Sequence, residues 1–297
     1  YADTGSFSSQ LLWFTATGGA GGGGTRIDSD ARNAKVVLPQ DTLVFDDLSF
    51  TAGSKTVTQD MPRIGTVTFL GDDGAHAVTN VPTFTTSTTA SIFGSLTLAS
   101  STLMTLTAST QGYTFGGRSD SYLTCAGNTW AKSFGLAKFG ATLFLSDDCL
   151  TTGNFIPSTG GFDLNDHNFT SSGMANNATG AKTFSWGTGT WTLTGTAATI
   201  WNMATDFANY TINAEQGTIK ITDTSATDLT FAGASKTYNN IWFSRGASTA
   251  SNTITGNNVF NDFKDDGSEA HSLLFTVNTT QIVNTFTVSG TAGKLIT

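Results

Sequence analysis

From Thr218 to Thr297 the chain is a succession of short apolar-alternating segments with turn residues between them and little else. Ile219-Lys220-Ile221, Leu229-Thr230-Phe231, Ile241-Trp242-Phe243, Val259-Phe260, Leu273 to Val277 and Phe286-Thr287-Val288 are each rich in β-branched or aromatic residues. Each is bounded by Gly, Asn, Asp or Ser, the punctuation of strands and not of helices. No long window sustains an apolar stripe at i, i+3, i+4 and i+7. A chain written this way folds as strand, turn, strand, turn.

The same rhythm runs backwards through the chain. Leu43-Val44-Phe45, Lys55 to Thr58, Val67 to Leu70, Leu96-Thr97-Leu98 and Leu103 to Leu106 read as successive strands at spacings of about 8–12 residues. Residues 41–181 repeat less regularly, and Ser133 to Phe139 fits either a strand or a short helical turn. Residues 182–297 are tighter, through Thr183 to Trp186, Thr190 to Thr194, Ile200 to Met203 and Tyr210 to Ile212. If three short strands make one coil of about 20–30 residues, the chain holds about ten coils. The fold expected is all-β, an elongated β-solenoid of the parallel β-helix kind. The alternative is a row of tandem β-sandwich modules, which also space strands this way; the 4 prolines mark no linker between such modules.

Residues 1–40 stand apart, with the apolar run Leu11 to Phe14 followed by a glycine run from Gly18 to Gly24. A phosphate loop needs a strand before it, a helix after it and a lysine, and Thr25-Arg26-Ile27-Asp28 supplies none of these. Gly21, Gly22 and Gly23 are instead expected at a capping or subunit contact. At the other end Gly293 to Thr297 stops on a strand pattern. Leu295 and Ile296 are therefore expected either to be followed by more chain or to be covered by a partner.

Composition closes off several function classes. Only 12% of residues are charged and Glu occurs only at Glu215 and Glu269, against 22 acidic residues in all. Asp favours turns where Glu favours helices, so the acids point the same way as the strands. A net charge of −8 leaves no basic stripe for nucleic acid. No run approaches 18 apolar residues, so no helical membrane insertion is expected. Cys125 and Cys149 are separated by about one coil's length of sequence. They are either a free buried pair or, on adjacent turns about 4.8 Å apart, a disulfide that suits an oxidising setting.

Candidate chemistry is sparse. The doublets Asp46-Asp47, Asp72-Asp73, Asp147-Asp148 and Asp265-Asp266 could furnish the two carboxylates of a glycoside hydrolase or lyase. Adjacent acids on a strand face opposite ways, however, and Asp doublets more commonly make turns. His76, His167 and His271 are too dispersed for zinc. Calcium could be held by Asp72, Asp73, Asp265 or Asp266, without the spacing of a dedicated loop; no other cofactor is expected. Trp13, Trp130, Trp186, Trp191, Trp201 and Trp242 could form a sugar platform, but Trp191, Trp201 and Trp242 sit among apolar residues and read as core. The Asn-x-Ser/Thr triplets at Asn168, Asn177, Asn209 and Asn278 arise readily by chance in a Thr-rich chain.

The runs Thr218 to Thr224, Thr230 to Gly233, Lys236 to Phe243, Asn258 to Asp265 and Phe286 to Gly293 resemble a group of Thr/Ser/Gly-rich repetitive proteins of bacterial surfaces and tailed-phage virions. The likeness is good over 182–297, weaker over 41–110 and absent over 1–40. It implies a β-solenoid, an extracellular, cell-surface or virion location, and a fibre- or adhesin-like role with no transferable catalytic motif. The expectation is a non-enzymatic structural subunit forming a homo-oligomer or filament. A glycan-binding adhesin or tailspike, with cell-surface glycans as partners and polysaccharide cleavage as an added activity, is the alternative.

Overall fold

A computed structural model describes residues 5–8, 38, 40–46, 49–50, 55–70, 80–107, 112–175, 180–203 and 207–297. The chain is nearly all β, with parallel stacked strands forming a β-solenoid of about 10 turns. Neighbouring strands run parallel and their partners lie one coil away in sequence, which rules out the antiparallel layers of sandwich modules. By contact density the chain divides into two compact units, Tyr1–Leu150 and Thr151–Thr297.

The first unit has three faces. One stacks Thr42–Phe45, Thr66–Phe69, Leu96–Thr97, Ser121–Thr124 and the second half of Phe134–Leu145. The second stacks Gly5–Ser6, Thr56–Gln59, Thr83–Thr86 and Thr105–Leu106; the third stacks Arg63–Ile64, Ala90–Ile92, Tyr113–Gly117 and the first half of Phe134–Leu145. Thr42 pairs with Thr66, Val67 with Leu96, Leu96 with Leu123, and Ser121 with Leu143. Coil length varies. Asp120 and Thr142, hydrogen-bonded across one coil, are 22 residues apart, whereas Thr66 and Ser95, joined in the same way, are 29 residues apart. Within the stretch Ser133 to Phe139, Phe134 onward is strand, not helical turn. The twelve-residue strand Phe134–Leu145 serves two faces, because Phe139 and Gly140 both turn outward and bend it.

In the second unit the first face holds Phe155–Asp163, Lys182–Ser185 and Tyr210–Asn213 and then stops. The second continues through Phe169–Ser171, Thr190–Leu193, Thr218–Ile221, Thr237–Phe243, Val259–Asp265 and Ile282–Val288. The third holds Thr199–Asn202, Leu229–Ala232, Asn252–Thr255 and Leu273–Phe275. Where the first face stops, the coil shortens. Ser185 and its partner Asn213 are 28 residues apart, whereas Thr218 and its partner Asn240 are 22 residues apart.

Alternation explains the core. Thr66–Phe69 and Thr218–Ile221 put Thr or Lys outward and Val, Ile or Phe inward. Parallel register then stacks like on like. Phe45 lies 4.5 Å from Phe69 between ring centroids, and Trp201 lies 5.9 Å from Phe231, both near-parallel. Such offset pairs add about 0.5–1.5 kcal/mol beyond their buried area. Bends are held from inside: the buried Asn128 amide donates to Ala99 O and Cys125 O, each at 2.8 Å. Buried Asn258 donates to Thr255 O at 2.9 Å and accepts from the Ser235 N–H. Each satisfies carbonyls that a turn would otherwise strand.

Candidate functional site: the final coil and its support

Among the described residues, the final coil, formed by Leu273–Phe275 and Ile282–Val288 and stacked on Asn252–Thr255 and Val259–Asp265, carries a cluster of exposed apolar side chains. Ile282–Val288 is the outermost strand of its sheet, paired with Val259–Asp265 alone among the described residues. Its Phe286 continues the inward column of Ile241 and Phe263, yet is 53% exposed. Ile282 is 60% exposed, Val277 82% and Leu295 71%. Phe286 and Phe275 pair with the buried Phe263 and Ile254 of the coil beneath, yet here face solvent, beside an open row of strand N–H and C=O groups.

Beneath this surface runs a chain of buried polar groups that joins three coils. Arg245 donates from Nε to Asp223 O and from Nη2 to Asp223 Oδ2, both at 3.0 Å, and to Thr227 O at 2.8 Å. Its Nη1 reaches Asn252 Oδ1 at 3.0 Å. The Asn252 amide donates to Asp265 Oδ2 at 3.0 Å, and Asp265 meets His271 Nε2 at 3.0 Å. His271 also holds the chain's last residues: its N–H donates to Leu295 O, and Thr297 N–H donates to its carbonyl at 3.0 Å. Asp223, Arg245, Asn252, Asp265 and His271 are all buried. Nearly every donor has an acceptor, which is the condition for such a network to stabilise its surroundings. Lys294 closes the outside with an ion pair to Glu269 at 2.7 Å.

A groove of about 640 Å³ opens where the first face of the second unit ends. On one side lies the end of Tyr210–Asn213, a strand paired with Lys182–Ser185 alone among the described residues. On the other are the in-register rows Thr237, Val259 and Ile282 and Tyr238, Phe260 and Val283. Asn239, Asn261 and Asn284 also line it, and the Asn284 amide donates to Asn261 Oδ1 at 3.3 Å. Burial pushes the Tyr238 phenol far above its usual range, against a hydrogen bond from Trp201. Its hydroxyl donates to Gly233 O at 2.9 Å.

The residues singled out in the sequence fall in different places. Cys125 and Cys149 form a disulfide, with Cα atoms 5.4 Å apart on successive turns. Asp265 is committed to Asn252 and His271, and Asp266 pairs with Lys264 at 2.9 Å. Among the described residues no three acidic, His or Cys side chains come together as metal ligands. Asp72, Asp73, His76, Gly21, Gly22 and Gly23 lie outside the described residues. Ile296 forms a parallel bridge with His271, while Leu295 stays exposed. Asp147 accepts the backbone N–H groups of Cys125, at 2.7 Å, and Ala126, so it ties one turn to the next. Asp46 and Ser49 close a turn on each other.

Trp130, Trp186, Trp191 and Trp201 are core. Trp242 is not: it faces outward, with the ammonium groups of Lys220 and Lys264 over its ring at 3.9 and 4.0 Å. Register decides this, because Trp242 shares an outward column with Lys220 and Lys264. The Arg245 network was not singled out in the sequence. Its one signal was spacing, since Asp223 and Arg245 lie 22 residues apart and so one coil apart.

Among the described residues no helix is long and apolar enough to cross a membrane. No protein-family model, curated protein or solved structure matches the chain.

Proposed function

We propose that this chain is a non-enzymatic structural subunit of an extracellular filament, surface fibre or virion appendage, assembling through its open strand edge and end coil onto a second copy. The observation that carries the reading is the final coil. Phe286, Ile282, Val277 and Leu295 lie exposed beside the unpaired edge of Ile282–Val288. Burying one such side chain fully is worth about 1.5–3 kcal/mol. An added parallel strand would also pair the open N–H and C=O groups, by the same geometry that joins every earlier coil. Contact between an end coil and a different surface of the next subunit is heterologous, and heterologous contacts that do not close generate filaments. The Cys125–Cys149 disulfide and a surface of Thr, Ser and Asn fit an oxidising extracellular setting.

Native mass measured across a dilution series, with electron microscopy of the same samples, tests this. The expected result is oligomers or fibres at micromolar concentration that dissociate on dilution. A strict monomer throughout would overturn the reading.

A further inference from the structure

A second groove, in the first unit, carries a different chemistry. It has a volume of about 410 Å³, within the range of small-molecule sites, and is open to solvent. Three glycines line it: Gly65, Gly94 and Gly117. Two of them disfavour anything larger. A Cβ on Gly94 would lie 2.7 Å from Thr66 N, and Gly117 has a φ of +99°, a left-handed backbone strained for any other residue, with Phe93 O 3.2 Å from the place of its Cβ. The missing side chains are what leaves the hollow beside the Phe93 ring.

Around that hollow the side chains are polar with one cation. Arg118 is exposed and makes no ion pair among the described residues. Directly behind it the Lys138 ammonium donates to Ser119 O at 3.0 Å. Gln40 and Ser119 add an amide and a hydroxyl. Of the acids adjacent in sequence to the lining residues, Asp120 is engaged by the Thr142 N–H at 2.8 Å and Asp41 by the Leu38 N–H at 2.7 Å. In a chain of net charge −8 with 14 basic residues, most of the surface repels anions. Here a guanidinium is left without an ion partner beside a half-exposed aromatic ring.

We propose that this groove binds an acidic sugar of the hexuronate class. Arg118 takes the carboxylate through two parallel N–H···O bonds, the geometry for which a guanidinium fork is built. Phe93 covers the apolar C–H face of the pyranose, while Gln40 and Ser119 meet its ring hydroxyls. The glycines allow the sugar to approach the backbone. The site makes no use of the end coil, so it stands or falls apart from the assembly proposal.

The test is titration of the full chain with tetragalacturonate and, as the neutral counterpart, maltotetraose, followed by calorimetry and by NMR shifts. Tetragalacturonate is expected to bind more tightly and to weaken as salt is added. Arg118→Gln should weaken it about tenfold or more, and Phe93→Ala should weaken both sugars, with circular dichroism unchanged in each. Absence of uronate binding, equal binding of the two sugars, or binding indifferent to Arg118→Gln would each overturn the proposal. A Val277→Lys/Ile282→Lys variant, altered only at the end coil, should bind tetragalacturonate as the parent does, which separates this result from the assembly result.

Discussion

At the scale of single residues the molecule places charge inside a narrow core and compensates it in two different ways. Arg245 is fully engaged, with Asp223 as its ion partner and backbone carbonyls and Asn252 taking the remaining donors. Removing one partner of a buried pair strands the other, so Asp223→Ala is expected to cost about 3–5 kcal/mol of unfolding free energy. The double variant Asp223→Leu/Arg245→Met should recover only part of that loss, as read by chemical denaturation, since it removes both charges but leaves the Asp223 and Thr227 carbonyls without their guanidinium donor. If the single and double variants are equally destabilised, the pair is not what holds this corner. Lys138 is the opposite case. Burial lowers its pKa from 10.5 to about 8, against the pull of Asp120, so the charged form is disfavoured in the fold. Between about pH 8 and 10.5 the unfolded chain keeps a proton that the folded chain has released, so stability should rise with pH across that window. Below it the penalty is fully present. Lys138→Met should flatten this part of the stability profile, and a profile identical to the parent's would show that the ammonium is freely solvated.

At the scale of elements, strand identity was plain in the alternation, and so was the coil. Thr218–Ile221 reads as a strand in the sequence and is one, with its apolar residues inward as the period of two requires. What could not be read was which outward residue sits over which, because that depends on coil length and the coils vary. Trp242 shows the consequence: apolar neighbours suggested core, but one step of register put it on the outer face between two lysines. The bend in Phe134–Leu145 was hidden for a related reason, since Phe139-Gly140 breaks the alternation in a way that also fits a helical turn. The candidate grooves were equally illegible, since Arg118 and Phe93 meet only after coils are stacked. The open edge of Ile282–Val288 yields the element-scale prediction. Val277→Lys/Ile282→Lys adds charge to two side chains already largely exposed, so the monomer should lose no more than about 0.5 kcal/mol per site. Edge lysines are the device by which natural sheets refuse further strands. The variant should therefore stay monomeric at concentrations where the parent associates, as read by analytical ultracentrifugation. Association as strong as the parent's would move the interface elsewhere.

At the scale of the whole molecule, a solenoid's stability is close to a sum over coils and the contacts between neighbours, so a coil with a neighbour on one side only is the least stable. The final coil is one such coil, and its support is lopsided. Its third face is held by His271 and the strand-like pairing of Leu273 N–H to Thr297 O at 2.8 Å. Its second face ends bare at Ile282–Val288. Local opening should begin there and spread inward, while amides of Thr190–Leu193 and Thr218–Ile221, paired on both sides, exchange only with deeper unfolding. Binding of a second copy to the folded end stabilises by mass action. Raising the protein concentration should therefore slow hydrogen exchange across Ile282–Val288 and leave the inner strands unchanged, with the effect absent in Val277→Lys/Ile282→Lys. Protection that rises uniformly along the chain would mean that association acts on global stability, not on this end. Protection at the final strand that ignores concentration would mean that nothing docks there at all.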